Sequence, residues 1–453
     1  MLTPEETKVK VLGEPQYPSP LNLSTVYGDG IGNFVPEDSK VRFQVELIKG
    51  QEGQEGQENI FFEKSGPLQK IYFKPEKTKA AIVTCGGLCP GINDVIRSIY
   101  LELFHNYKVR DVYGIKYGYL GMNPARGEIP VKLTSEFVEQ IHKMGGSALG
   151  SSRGNEDPVQ MADFLDSEGI DILFCIGGDG TLKGANAIYE AVTKKKFNIS
   201  IIGIPKTIDN DIMYVWKTFG FSTAVEKASE VLDCAHVEAQ GAPHGISLVK
   251  VMGRDSGFIA SAATLASQEV NFTLIPEISF ELEGEKGFLN ALHERLLSRK
   301  HAVVVVAEGA GQDLIRGGNL GEDASGNVRY KDIGLFLKDK ILEYFKEKDF
   351  PVTLKYIDPS YIIRSVAANG DDSLFCNSLG RAAVHAGMSG KTDMLVGIWH
   401  NSFINVPISL CVRERKKIDP ESAMWQGVLE STGQPHYFRN DNKNKKKISN
   451  NKE

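Results

Sequence analysis

The chain has no surplus of positive charge, no apolar run long enough to span a bilayer, and no paired cysteine framework. Its 52 Lys and Arg against 58 Asp and Glu leave a formal net charge of -6, which excludes a general affinity for nucleic acid. If such a chain handles phosphates, it does so through a local basic pocket. The opening Met1-Leu-Thr-Pro-Glu-Glu6 has neither the basic flank nor the apolar core of a secretory leader, and Asn450-Asn-Lys-Glu453 is not a peroxisomal address. The expectation is a cytoplasmic protein that engages no membrane and no nucleic acid. Six cysteines (Cys85, Cys89, Cys175, Cys234, Cys376, Cys411) are scattered, several inside apolar runs, which suits a reducing compartment. Cys85 and Cys89 have a spacing compatible with zinc, but no second Cys/His pair accompanies them, so they are not read as ligands.

A hydrophobic content of 41% and a charged content of 24% are ordinary globular values, and 453 residues exceed what one core of roughly 250 to 300 residues holds. Two main domains are expected. Residues 1 to about 75, rich in Pro, Gly and charge and including Gln51-Glu-Gly-Gln-Glu-Gly-Gln57, read as an extension draped on the main body. Order is expected from Lys79-Ala-Ala-Ile-Val-Thr84, a strand running into the glycine loop Cys85-Gly-Gly-Leu-Cys-Pro-Gly-Ile-Asn93 and a helix. Glycines there either cradle phosphate or allow tight packing.

Strand and helix then alternate. Strands are expected at Val112–Ile115, Ile170–Ile176, Ile199–Ile204, Gly245–Met252, Phe272–Ile275, Ala302–Ala307, Thr353–Arg364 and Met394–Ile398, and helices at Pro158–Glu168, Ser222–His236, Phe258–Gln268, Phe288–Arg299, Asp332–Phe345 and Ser378–Gly387. This grammar predicts an α/β fold of doubly wound, mainly parallel sheets. The polar run from Asp441 onward reads as a solvated tail.

Two acidic loops each follow a buried-strand pattern: Gly177-Gly178-Asp179-Gly180-Thr181 and Pro205-Lys206-Thr207-Ile208-Asp209-Asn210-Asp211. In the first, backbone N–H groups can approach phosphates while Asp179 holds Mg²⁺ through its waters; a simple tight turn is the alternative. Asp209 and Asp211, at i and i+2 of a strand end, offer a base and a neighbouring charge, or an Asx turn. Arg153, Arg254 and Arg364 each follow or end an apolar strand, where a guanidinium fork matches phosphate oxygens, although any one alone would be an ordinary surface arginine. Together these features describe metal-assisted phosphoryl transfer.

At these residues the chain resembles the 6-phosphofructokinase family. It carries that family's glycine loop, GGDGT, PKTIDND, MGRDSG, AEG and a YIIR-type element in order over about residues 78 to 430. Lys206, Thr84-Cys-Gly-Gly-Leu-Cys-Pro-Gly91 and Lys355-Tyr-Ile-Asp-Pro-Ser-Tyr361 are similar to the plant and trypanosomatid-like, ATP-dependent branch. The resemblance implies two Rossmann-like domains: an ATP-binding domain at 78–220 with 363–413, and a fructose 6-phosphate-binding domain at 221–362 with 414–430. They are flanked by an extension at 1–77 and a tail at 431–453. It implies an allosteric, cytoplasmic glycolytic kinase that assembles as a homo-oligomer, a tetramer or dimer, and uses Mg²⁺.

By the same resemblance Gly87, Arg153, Gly154, Gly178, Asp179, Gly180 and Thr181 would touch ATP, with Asp179 near Mg²⁺. Thr207, Ile208 and Asp209 would contact fructose 6-phosphate, Asp209 as the base, with Thr207 and Asp211 beside it. Met252, Gly253 and Arg254 would hold sugar and transferred phosphoryl, Glu308 the sugar hydroxyls, and Tyr361 with Arg364 the 6-phosphate. Gly180 with Lys206 would set the donor, since pyrophosphate users usually place a second Asp after the GGD aspartate. Short bacterial relatives have Arg where Gly245 stands here and His at Tyr361. Lipid and NAD kinases also contain GGDGT but lack PKTIDND and MGRDSG, and a sugar-phosphate-binding regulator would have lost Asp209.

Overall fold

A computed structural model describes residues 2–45, 60–154, 156–315, 321 and 330–440. The low-complexity stretch at 51–57 and the tail from 441 lie outside these residues. The chain divides into two compact units, one from residues up to Thr223 with Arg364–Arg415, the other from Ala224 to Ile363 and from Lys416 on.

The first unit is built on a nine-stranded sheet in the order Lys40–Arg42, Phe61–Lys64, Ser402–Pro407, Met394–Trp399, Ser200–Pro205, Ile172–Gly177, Lys79–Thr84, Asp111–Ile115, Val131–Lys132. The five strands from Met394–Trp399 to Asp111–Ile115 run parallel. Ile172–Gly177 and Ser200–Pro205 are buried at every position, which is why they read in sequence as unbroken apolar runs. In chain order these five strands follow the 2-1-3-4-5 pattern of doubly wound sheets, with its switch point between Lys79–Thr84 and Ile172–Gly177. The crevice outside their carboxyl ends is where such sheets take ligands.

The N-terminal region does more than drape. Phe61–Lys64 pairs with Ser402–Pro407, Lys40–Arg42 pairs with Phe61–Lys64, and Phe62 is fully buried. Order therefore starts before Lys79. The strand Ser402–Pro407, absent from the sequence reading, returns from Met394–Trp399 through His400 and Asn401, both at positive φ, the geometry of a two-residue type I′ hairpin.

The second unit has a four-stranded parallel sheet, Phe272–Leu274, His301–Ala307, Gly245–Val251, Thr353–Ile357. Phe288 packs edge-on against Phe272, Phe280 and Phe438 in its core. The strand expected over Thr353–Arg364 stops at Ile357, and Ser360–Ser365 is a short helix. Pro359 has no N–H to extend a ladder, and Asp358 accepts from the Ser360 N–H at 3.1 Å, so the chain turns there. Arg364 accordingly does not end a strand. The helix expected over Ser378–Gly387 is longer, Gly370–Met388, because Asn369 caps it by accepting from the Asp372 N–H at 2.9 Å. Among the described residues no helix is long and apolar enough to cross a membrane.

Candidate active site

In the first unit both acidic loops and the glycine loop emerge from neighbouring strand ends. Ile172–Gly177 passes straight into the helix Asp179–Lys195, with Gly178 as its N-cap residue. A Cβ on Gly177 would lie 2.0 Å from Thr181 Oγ1, so only glycine permits this strand-to-helix turn. The unpaired N–H groups of that helix start favour an anion, and Asp179 sits in the same turn. A carboxylate there repels a phosphate unless a cation stands between them. Asp179 is held by Lys183 at 2.9 Å and by Arg415 at 3.6 Å.

Pro205 ends its strand, and the residues after it form a turn, not a continuation of the strand. Asp209 and Asp211 therefore do not share a strand face. Asn210 adopts φ 53°, a left-handed conformation Asn tolerates, and its side chain accepts from the Thr218 N–H at 3.0 Å. The Asp209 N–H donates to Thr207 Oγ1 at 3.1 Å, and that hydroxyl donates to Asp211 Oδ1 at 3.1 Å. Asp211 is buried and meets Arg415 at 3.3 Å. Arg415 thus spans Asp179 and Asp211, a role the sequence reading missed; its only signal was the basic run Arg413-Glu-Arg-Lys-Lys417. The Ile208 side chain is buried, which leaves its backbone for any ligand.

Lys206, 5% exposed, donates from Nζ to the Gly87 carbonyl at 2.6 Å. Burial pushes its ammonium below the ordinary lysine range, and the nearby Arg153 charge adds to this, while the cysteine thiols and Asp209 oppose it. Arg153 Nη2 lies 3.5 Å from the point a Cβ on Gly87 would occupy, so Gly87, Arg153 and Lys206 form one cluster. Gly154 is exposed at φ 143°. Gly180 lies in the first turn of the helix and is exposed. The structure brings Gly87, Arg153 and Lys206 together, and Asp179 with Thr207 and Asp211 through Arg415.

The second unit gathers a separate set. Gly253, at φ 129°, lets the strand Gly245–Val251 turn into Arg254, and its carbonyl accepts from the Gly309 N–H at 3.1 Å. A Cβ on Gly309 would sit 1.8 Å from the Arg254 carbonyl, so the two loops touch backbone to backbone. Arg254 Nε is 4.0 Å from Glu308 Oε1. Met252 is buried. Beside them Lys250, which the sequence reading passed over, bonds Asp332 at 2.7 Å and Asp358 at 2.9 Å. Asp358 in turn starts the helix that carries Tyr361, which is 74% exposed. At Gly245 a Cβ would lie 2.0 Å from the Ala239 carbonyl, so the arginine of the short bacterial pattern has no room.

Among the described residues no group of three or more His, Cys, Asp or Glu could enclose a metal. Magnesium does not need such a cage, because it keeps several waters and binds through one or two carboxylates plus substrate phosphates. Asp179, a carboxylate at an anion-attracting helix start, suits that mode.

Fold and loops define a doubly wound α/β protein with glycine, acidic and basic loops at the carboxyl ends of its strands. The chain belongs to the phosphofructokinase family, which it matches over residues 79–387. The ATP-dependent 6-phosphofructokinase of Borreliella burgdorferi is 49% identical over 439 residues, 96% of this chain and 98% of that one. The chloroplastic ATP-dependent 6-phosphofructokinase 5 of Arabidopsis thaliana is 46% identical over 375 residues, 83% of this chain and 69% of that one. A crystal structure of a pyrophosphate-dependent phosphofructokinase from Marinobacter aquaeolei superposes with a TM-score of 0.65, covering 78% of this chain and 91% of that one. At 20% identity that match speaks for the fold alone.

Proposed function

We propose that the chain is an ATP-dependent 6-phosphofructokinase, transferring the γ-phosphoryl group of ATP to the 1-hydroxyl of fructose 6-phosphate and releasing ADP and fructose 1,6-bisphosphate. What carries this reading is the 49% identity, over nearly the whole of both chains, to a relative named for that reaction. The O1–P bond forms as the bond from phosphorus to the ADP oxygen breaks, and Asp209 accepts the 1-hydroxyl proton. Thr207 and Asp211 support that base, the Thr207 hydroxyl bonding the Asp209 N–H and Asp211 and so fixing the turn, while Thr207 and Ile208 are also assigned to fructose 6-phosphate.

We assign Gly87, Arg153, Gly154, Gly178, Gly180 and Thr181 to ATP, with the first unit as the ATP-binding domain. Asp179 would hold Mg²⁺, which supplies charge neutralisation on the transferred phosphate when bound. Met252, Gly253, Arg254, Glu308 and Tyr361 are assigned to the sugar phosphate in the second unit, and Arg364 to its 6-phosphate. A cytoplasmic setting agrees with six free cysteines, five of them buried; assembly as a homo-oligomer and allosteric control belong to the same reading.

The donor turns on Gly180 against Lys206. An Asp at position 180 would place a second carboxylate beside Asp179 where a nucleotide's α-phosphate would approach, whereas Gly180 leaves that approach open. Lys206 is a weaker discriminator, because its ammonium already serves the Gly87 carbonyl and could attract either donor. Initial rates with MgATP and MgPPi at saturating fructose 6-phosphate decide the matter. ATP should give the higher kcat/KM, and Gly180→Asp should impair ATP use severely; a higher kcat/KM with pyrophosphate in the unmodified protein would overturn the assignment.

A further inference from the structure

The first unit contains a cavity of about 590 Å³ whose walls include none of the residues assigned above. Its size lies within the roughly 300 to 1,000 Å³ of small-molecule sites. Its walls include the N-terminal segments 20–23 and 65–67, the residues Glu102, His105, Asn106 and Lys108, and Ser378, Arg381 and His385. The last three recur at helical spacing on Gly370–Met388 and so share one face.

The cavity carries charges of both signs, the cations exposed and the carboxylate buried. Arg381 and Lys108 are exposed, and among the described residues neither forms an ion pair; the Lys108 ammonium donates to the His105 carbonyl at 2.5 Å. Among the described wall residues the acidic group is Glu102, which is buried within reach of the Arg381 charge. Deeper, Glu102 is 4% exposed and accepts from Asn106 Nδ2 at 2.6 Å, with His385 Nδ1 4.0 Å away. Burial pushes the Glu102 carboxyl up, opposed by the Asn106 hydrogen bond and the Arg381 charge, and burial together with the Arg381 charge pushes His385 down to about 3, so the imidazole is neutral and the cation Glu102 feels is Arg381. His385 Nδ1 is instead shared with the Tyr107 hydroxyl at 2.8 Å. Ser65, another wall residue, is 6% exposed, and its Oγ has no hydrogen-bond partner among the described residues. Buried hydroxyls of that kind are uncommon and call for a partner.

Exposed cations and buried oxygen acceptors in one cavity match a ligand with an anionic head and a body that donates hydrogen bonds. Arginine forks suit phosphate, and a carboxylate suits hydroxyl donors. We propose that this cavity binds a small phosphate monoester with a hydroxyl-bearing body, its phosphate on Arg381 and Lys108 and its hydroxyls toward Glu102 and Ser65. The site is distinct from the loops assigned to catalysis and depends on the N-terminal segments that complete its wall.

The test is calorimetric titration of the full chain with glucose 6-phosphate, inorganic phosphate and glucose. Glucose 6-phosphate should bind at least tenfold more tightly than either fragment, Arg381→Ser should weaken it at least tenfold, and Arg381→Lys should recover part of the loss. Arg254→Ala should leave this affinity unchanged. The phosphorylation kcat of Arg381→Ser without added glucose 6-phosphate should equal that of the unmodified chain, which shows that the variant is folded. An unchanged affinity in Arg381→Ser, a loss in Arg254→Ala, equal affinity for inorganic phosphate, or no heat with glucose 6-phosphate would each overturn the proposal.

Discussion

Lys206 Nζ donates to the carbonyl oxygen of Gly87 at 2.6 Å, so a residue of the PKTIDND loop holds the glycine loop in place. A hydrogen bond from a charged donor is worth roughly 1.5–3 kcal/mol, and a buried acceptor left without it costs a similar amount. Lys206→Met should therefore lower kcat/KM for ATP by roughly ten- to 100-fold, with a smaller effect on KM for fructose 6-phosphate. Steady-state kinetics with each substrate varied in turn check this; a change confined to the sugar phosphate would separate Lys206 from the nucleotide.

Asp209 tests the chemistry most directly. Losing a general base costs typically 10²- to 10⁴-fold, so Asp209→Asn should reduce kcat by about that factor while fructose 6-phosphate still binds. Asparagine keeps the shape of the turn that the Thr207 hydroxyl organises. A variant with near-normal kcat would remove Asp209 from the role of base.

Arg254 should act on the transition state. It sits at the loop closed by Gly253 and Gly309, with Glu308 at 4.0 Å, which fixes the direction of a charge on a flexible stem. Arg254→Ala is expected to lower kcat by roughly 10²-fold or more and to leave KM for ATP nearly unchanged. If the KM for ATP alone rose, Arg254 would belong with the nucleotide.

Arg415 neutralises two carboxylates at once, Asp211 at 3.3 Å and Asp179 at 3.6 Å. Arg415→Ala should lower kcat, and it should also lower the Mg²⁺ concentration needed for half-maximal rate, because Asp179 is then released toward a metal ion. Titrating Mg²⁺ at fixed ATP measures both. A raised Mg²⁺ requirement would mean that Arg415 helps to hold the metal-bound phosphates instead of competing with the ion.

Lys250 predicts a pH effect on stability. Burial alone would raise Asp332 and Asp358, but hydrogen bonds from Lys250 to both, from the Leu335 N–H and Tyr356 to Asp332, and from Ser360 to Asp358 leave both carboxyls below the ordinary range. Groups depressed in this way add stability above the unfolded value, about 3.9, and lose it as the pH falls through their folded values. Lys250→Met should cost roughly 1–3 kcal/mol at pH 7, less than a fully buried pair because both carboxylates are about a third exposed. The Tm difference from the unmodified chain should shrink below pH 4; a difference that stays constant with pH would show that the cost is packing.

Much of the site was legible because its loops follow buried parallel strands, whose continuous apolar runs are unmistakable. Ile172–Gly177 leads to Asp179, Ser200–Pro205 to Lys206, and Gly245–Val251 to Arg254. Weakly patterned pieces were harder to read. Phe61–Lys64 has four residues and Ser402–Pro407 turns through His400-Asn401 without glycine, so neither announces a strand. Tyr361 and Arg364 were expected on a strand because Tyr361-Ile-Ile363 is β-prone, and Pro359 with the Asp358 cap overrode that preference.

Residue types and their spacing determined by themselves which loops carry chemistry, since a glycine, carboxylate or arginine just past a buried strand is placed by the local chain alone. Only the tertiary structure decided which of those groups meet. Lys206 reaches Gly87 across 119 positions and Arg415 reaches Asp211 across 204. Such contacts depend on strand order and on the return of the chain to the first unit, and a linear pattern does not encode either.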